Sequence, residues 1–131
     1  AWWSGQSAAK SKRVLVGDLN IAPGEHDVWS HKQLLDVVSH TPVEVERLQR
    51  LQDTQSWIDV ARHFVPAEEK LYSWWSYRAR DWRASNRGRR LDHVWVTPAL
   101  KGGLGRFEIL ADARDWQKAS DHVPVAVDLD A

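Results

Sequence analysis

The chain has 131 residues, 43% hydrophobic and 27% charged, with a formal net charge of zero, which suits one domain with a core of its own. No apolar run approaches the roughly 18 residues a membrane span requires, and the start lacks the basic-then-apolar pattern of a signal peptide. The absence of cysteine excludes disulfides, thiolate catalysis and cysteine-based zinc sites; it fits a cytoplasmic location, the compartment expected.

The chain opens on AWWSGQSAAKSK and contains no methionine. That opening reads as a helix tail entering a loop, and with no methionine to begin it a fragment of a longer protein is expected, a processed or re-engineered N-terminus being the alternative. Arg13 to Leu19 is a short apolar run that predicts a buried strand. Asn20 to Ser30 is loop, marked by Pro23-Gly24. Thr41, Pro42 and Glu44 then spell an N-cap, N1 and N3, and Val45, Leu48 and Leu51 follow at helical spacing. These predict a helix over 42–52. SWIDVARHF (56–64) predicts a short helix stopped by Pro66. Leu71 to Tyr77 is aromatic and predicts a strand; Ala79 to Gly88 is a polar, arginine-rich loop. Arg90 to Thr97 predicts a strand, Gly102 to Gly105 a turn, Arg106 to Leu110 a strand, and Val123 to Leu129 a last strand with Pro124 near its start. Several strands with few helices between them argue for an α+β fold with a mixed or antiparallel sheet.

Asp18 and Asn20 end the first strand at i and i+2, which share a face of an extended segment. A carboxylate beside an amide suits metal or phosphate positioning, and the same pair also reads as a plain turn. Asp121-His122 precedes the last strand. It reads either as a metal or water ligand beside an acid/base group, or as a loop aspartate beside a surface histidine. Asp92 lies within a strand pattern, where a buried carboxylate needs a partner; a histidine, Arg89 or Arg90 would serve. Between Tyr72 and Asp92, six arginines interleave with Tyr72, Trp74, Trp75, Tyr77 and Trp82. Aromatic faces stack on bases and guanidiniums grip phosphates; the alternative is a core strand beside a solvated basic loop. Trp74 and Trp75 cannot both face one side of a flat strand. The other histidines, His26, His31, His40, His63 and His93, show no ligand spacing, and no phosphate loop or dinucleotide fingerprint occurs.

GDLNIAP, YSWWSYR, NRGRRLDHVWVTP and SDHVPV, in this order, resemble the exonuclease III/AP endonuclease family, a branch of the Mg²⁺-dependent endonuclease/exonuclease/phosphatase superfamily with the DNase I-like fold. The resemblance covers the chain from about Arg13 to its end. It implies the C-terminal half of a four-layer αββα sandwich, with a mixed, mostly antiparallel sheet. It implies a nuclease acting on double-stranded DNA, with incision at abasic sites and 3′→5′ exonuclease action, and with Mg²⁺ or alternatively Mn²⁺ as cofactor. By position, Asp18 would orient or deprotonate the attacking water and Asn20 would position it or the phosphate. His122 would stabilise charge on the phosphoryl oxygens, oriented by Asp92, and Asp121 would be a metal-site acid. Trp74 would line the pocket for the abasic sugar, with Arg78 and Arg87 on the DNA-facing surface.

Ala119 stands where the family commonly has proline, and Ser76 where many members have aspartate. The resemblance also places residues 1–131 as one partial domain lacking an N-terminal half that supplies further metal and active-site groups. We therefore expect a poor nuclease in isolation, and a partner that is either that half or a second copy. The remaining alternatives are a non-catalytic DNA-binding or assembly module, and a phosphodiesterase for a lipid or small molecule.

Overall fold

A computed structural model describes residues 10–131. The helix tail expected at the start falls on residues 1–9, outside the described residues. The first apolar run forms β1, Val14–Asp18. It pairs antiparallel with β5, Asp92–Val96, and the register sets Val16 against Val94, Gly17 against His93 and Asp18 against Asp92. The other side of β5 takes the short β2, Ile58–Asp59, giving the order β1-β5-β2. Gly17 adopts φ 150, a conformation that side chains rarely tolerate, and the strand ends one residue later.

Two short helices follow β1: α1, His31–Leu34, and α2, Pro42–Asp53. The first was not predicted; four residues are too few to show periodicity, and Ser30 caps it through its hydroxyl. The second has the predicted Thr41/Glu44 capping box and Pro42 in its first turn. Only part of 56–64 is helical: β2 precedes α3, Val60–Phe64. The β-branched Ile58 finds a partner in Val96 of β5, so tertiary pairing overrides the local helix signal.

The predicted strand 71–77 contracts to β3, Trp74–Trp75, paired with β4, Gly88–Arg89. Gly88 is required there, since a Cβ would lie 2.6 Å from the Tyr72 ring. The connecting segment is not plain loop. It contains α4, Trp82–Ser85, capped by the Asp81 carboxylate and closed by Asn86 at φ 48. A long antiparallel pair, β6 (Leu104–Ile109) with β7 (Val125–Leu129), completes the chain. All pairings among the described residues are antiparallel, as expected for an α+β chain joined by short connections.

Trp75 and Trp82 pack with Tyr72, Ala113 and Val123 beneath β3 and β4. Trp57 and Trp95 pack with Leu48 of α2 against the central sheet. No helix of the described residues is long and apolar enough to cross a membrane.

A buried ionic cluster ties β5 to the loops. The Arg90 side chain is 1% exposed. Its guanidinium is forked onto Asp27 (Nε–Oδ1 2.7 Å, Nη2–Oδ2 3.0 Å) and onto Asp59 (Nη1–Oδ1 3.0 Å, Nη2–Oδ2 2.8 Å). Its remaining donor reaches Nδ1 of His93 at 3.3 Å. All five donors of the guanidinium are thereby used. Arg62 adds a second bond to Asp27 at 2.7 Å. Burial pushes the Asp27 carboxyl up, but Arg90 and Arg62 outweigh it and hold the group below its usual range.

Candidate active site

Register brings Asp18 and Asp92 side by side on one face of the β1–β5 pair. Two facing carboxylates repel unless something cationic lies between them. His122 fills that role. Its Nδ1 donates to Asp92 Oδ2 at 2.8 Å, and its Nε2 lies 3.6 Å from Asp18 Oδ2. One donor atom from each of the three residues falls within 4.8 Å of the others. Desolvation pushes the imidazole pKa down. The Asp92 hydrogen bond and the charges of Asp92, Asp18 and Asp121 more than offset this, so His122 titrates above its usual range.

His122 arrives on the segment before β7. A backbone bridge joins it to Trp74, Trp75 N–H donates to the Asp121 carbonyl at 3.0 Å, and Val123 N–H donates to Ser73 at 2.9 Å. The bridge lets the adjacent residues diverge. His122 turns to Asp92, while Asp121 Oδ2 accepts Trp74 Nε1–H at 2.9 Å. Of the three candidates for Asp92, the histidine is the partner; Arg90 is spent on Asp27 and Asp59, and Arg89 donates to the Val38 carbonyl.

Sequence reasoning missed Ser73. It is fully buried. Its hydroxyl donates to Asp92 Oδ2 at 2.8 Å and accepts the N–H groups of Leu91 (3.0 Å) and Asp92 (3.1 Å). That exhausts one donor and two acceptors, locking Asp92 for His122. A single serine between two aromatics carries no local sign of this role. His93 was missed too. It donates Nε2–H to the Ile21 carbonyl at 2.7 Å, pinning the residue after Asn20.

The strand-face argument for Asn20 does not hold, because β1 ends at Asp18 and Asn20 has φ 55, a left-handed conformation. Asparagine tolerates it, and the Asn20 N–H donates to Asp18 Oδ1 at 2.9 Å. The turn and the site are one geometry: the turn fixes the carboxylate's orientation.

Trp75 is core and Trp74 is half-buried at the site. Beside Trp74 lies a cavity of about 570 Å³, lined in part by Trp29, Trp82, Arg78, Arg87 and Arg89. The arginine/aromatic segment thus divides: Trp75 and Trp82 build the core, while Trp74, Arg78 and Arg87 face open space.

Residues 1–122 match the Endonuclease/Exonuclease/phosphatase family. The chain belongs to that family. This family member is 36% identical over 116 residues to an exodeoxyribonuclease of Bacillus subtilis, covering 88% of the chain and 44% of that relative. It is 33% identical to exodeoxyribonuclease III of Haemophilus influenzae, covering 45% of it. An AP endonuclease structure from Archaeoglobus fulgidus superposes with a TM-score of 0.91 at 25% identity, over 99% of the chain and 50% of that protein. A 3′ phosphatase from Neisseria bound to a product DNA hairpin superposes at 0.83 and 31% identity, over 92% of the chain and 46% of that protein. The chain spans about half the length of these relatives, and its fold is that of the corresponding part of the DNase I-like AP endonucleases.

Proposed function

We propose that the chain is the C-terminal half of a DNA-repair phosphodiesterase of the exonuclease III type, incising at abasic sites and degrading 3′ ends. The observation that carries this reading is His122, held between Asp92 and Asp18 with donor atoms of all three residues within 4.8 Å of one another. Phosphodiester hydrolysis needs an oriented water and positive charge at the phosphoryl oxygens. Asp18 Oδ1 is held by the Asn20 N–H, which leaves Oδ2 to orient and deprotonate water. Asn20 positions that water or the phosphate. The Asp92 carboxylate, itself locked by Ser73, holds His122 through Nδ1 and favours its protonated form, so that Nε2–H, 3.6 Å from Asp18 Oδ2, can serve a phosphoryl oxygen. Trp74 walls the pocket for the abasic sugar, and Arg78 and Arg87 face the DNA backbone.

Asp18, Asp121 and the Asn20 amide are hard oxygen donors, and Asp121 Oδ1 accepts no hydrogen bond from the described residues. Their chemistry suits a Mg²⁺ or Mn²⁺ ion, which they would hold together with water and the proposed N-terminal half. When bound, the cation would neutralise phosphoryl charge and favour ionisation of water.

The test is cleavage of a duplex with one abasic-site analogue, by the whole domain and by residues 1–131 alone. His122→Asn and Asp18→Asn in the whole domain lower kcat by at least ~10²-fold, the scale of losing one transition-state donor, with DNA affinity retained. The 131-residue chain alone cleaves far more slowly. Cleavage untouched by both substitutions would instead make the chain a DNA-binding module.

A further inference from the structure

The arginines of this molecule differ in what their guanidiniums meet. Arg62, Arg83 and Arg90 end on carboxylates. Arg78, Arg87 and Arg89, which line the cavity beside Trp74, have no ion-pair partner among the described residues. Two of these three are stacked: Arg87 lies 4.6 Å over the Trp29 ring and Arg89 5.3 Å over the Trp74 ring. Stacking occupies the face of a guanidinium and leaves its edge donors available.

Arg89 goes further. Its Nη1 is anchored on the Val38 carbonyl at 3.0 Å, while its Nε is shielded from water with no hydrogen-bond partner. A shielded donor without an acceptor is costly in a folded protein, and burial without a carboxylate also draws the guanidinium pKa down. A phosphate supplies the missing negative charge, and its oxygens can be met by Nη2, which is not shielded and makes no hydrogen bond among the described residues. A neutral sugar carries no such charge. Trp74 couples this cation to the catalytic centre, since the ring under Arg89 also donates to Asp121, and its backbone bridges His122.

We propose that Arg89, assisted by Arg87, is a phosphate clamp for the DNA nucleotide adjoining the scissile bond, held in place by Trp74 and Trp29. The clamp rests on the reading of the site as a DNA phosphodiesterase and assigns a substrate-positioning residue to it.

DNA affinity of the whole domain tests it, measured by fluorescence anisotropy in EDTA so that no cleavage intervenes. The probes are duplexes in which one phosphate at a time is replaced by a neutral methylphosphonate. At one position adjoining the scissile bond, wild-type binding weakens about tenfold or more, the range of a charge-assisted hydrogen bond. Arg89→Gln produces the same loss on unmodified duplex, and the two changes together add nothing further. Should Arg89→Gln perturb folding in a thermal melt, Arg89→Lys carries the same cycle, with only part of the affinity restored. Losses that add at every position, or Arg89→Gln binding like wild type, overturn the clamp. Cleavage by His122→Asn in Mg²⁺ is scored separately. Unimpaired cleavage there defeats the phosphodiesterase reading and leaves the anisotropy cycle to decide the clamp.

Discussion

His122 illustrates how little of a residue's chemistry resides in the residue. Its position above the usual histidine range results from desolvation opposed and exceeded by the Asp92 hydrogen bond and three carboxylate charges. If the protonated form is the active one, activity falls as pH rises through this raised pKa. Asp92→Asn removes the largest opposing influence and moves that alkaline limb to lower pH, which a pH–kcat profile of the variant records. Ser73→Ala frees the Asp92 carboxylate and leaves two buried N–H groups without an acceptor. It should cost about 1–3 kcal/mol of stability in denaturant titration as well as lower kcat. At this scale Asp18, Asp92 and His122 were legible as unusual carboxylate and imidazole placements. Ser73 was not, because a serine's role is decided by what packs above it.

At the scale of elements, β5 carries two chemistries on its two faces. Asp92 faces Asp18 and His122, and His93 faces the buried Asp27–Arg90–Asp59 network and the Ile21 carbonyl. Arg90→Met leaves Asp59 without its ion-pair partner and Asp27 with Arg62 alone, and should destabilise by about 3–5 kcal/mol, as breaking buried ion pairs does; calorimetry measures it. His93 donates from Nε2 and accepts at Nδ1, so the neutral ring is the folded form. Burial, then Arg90, depresses its pKa. The unfolded chain therefore binds a proton that the folded chain refuses. Stability is full above the unfolded histidine pKa, about 6.5, and declines as pH falls through the depressed folded value. His93→Gln flattens that part of a stability–pH curve. Helix α2 was readable because capping and period are local signals. β2 and β4 were not, because Ile58 and Gly88 acquire strand geometry only from distant partners, and α4, four residues long, is too short to show a period.

For the molecule as a whole, β1 is an edge strand in the order β1-β5-β2, with Val14 and Val16 50% and 66% exposed. These valines, with Val94, Val125 and Val127, line an open apolar groove. An uncovered edge with an apolar face invites association. The isolated chain is expected to self-associate in sedimentation velocity as its concentration rises. Val16→Lys returns it toward monomer and weakens assembly with the proposed N-terminal half. A wild-type chain that stays monomeric at high concentration and does not assemble with that half would argue against this face being an interface.

The sequence by itself determined the local pieces: the capped helix α2, the apolar strands, and the motifs carrying Asp18, Asp92 and Asp121-His122. Local order was enough for these because capping, period and turn chemistry act over a few residues. Only the tertiary structure decided that Asp18 faces Asp92 across a strand pair and that His122 closes the gap between them. It alone separated arginines spent on buried carboxylates from those left over aromatic rings. Those outcomes depend on contacts between residues as many as 104 positions apart, as Asp18 and His122 are, and no local pattern encodes which distant charge a side chain will meet.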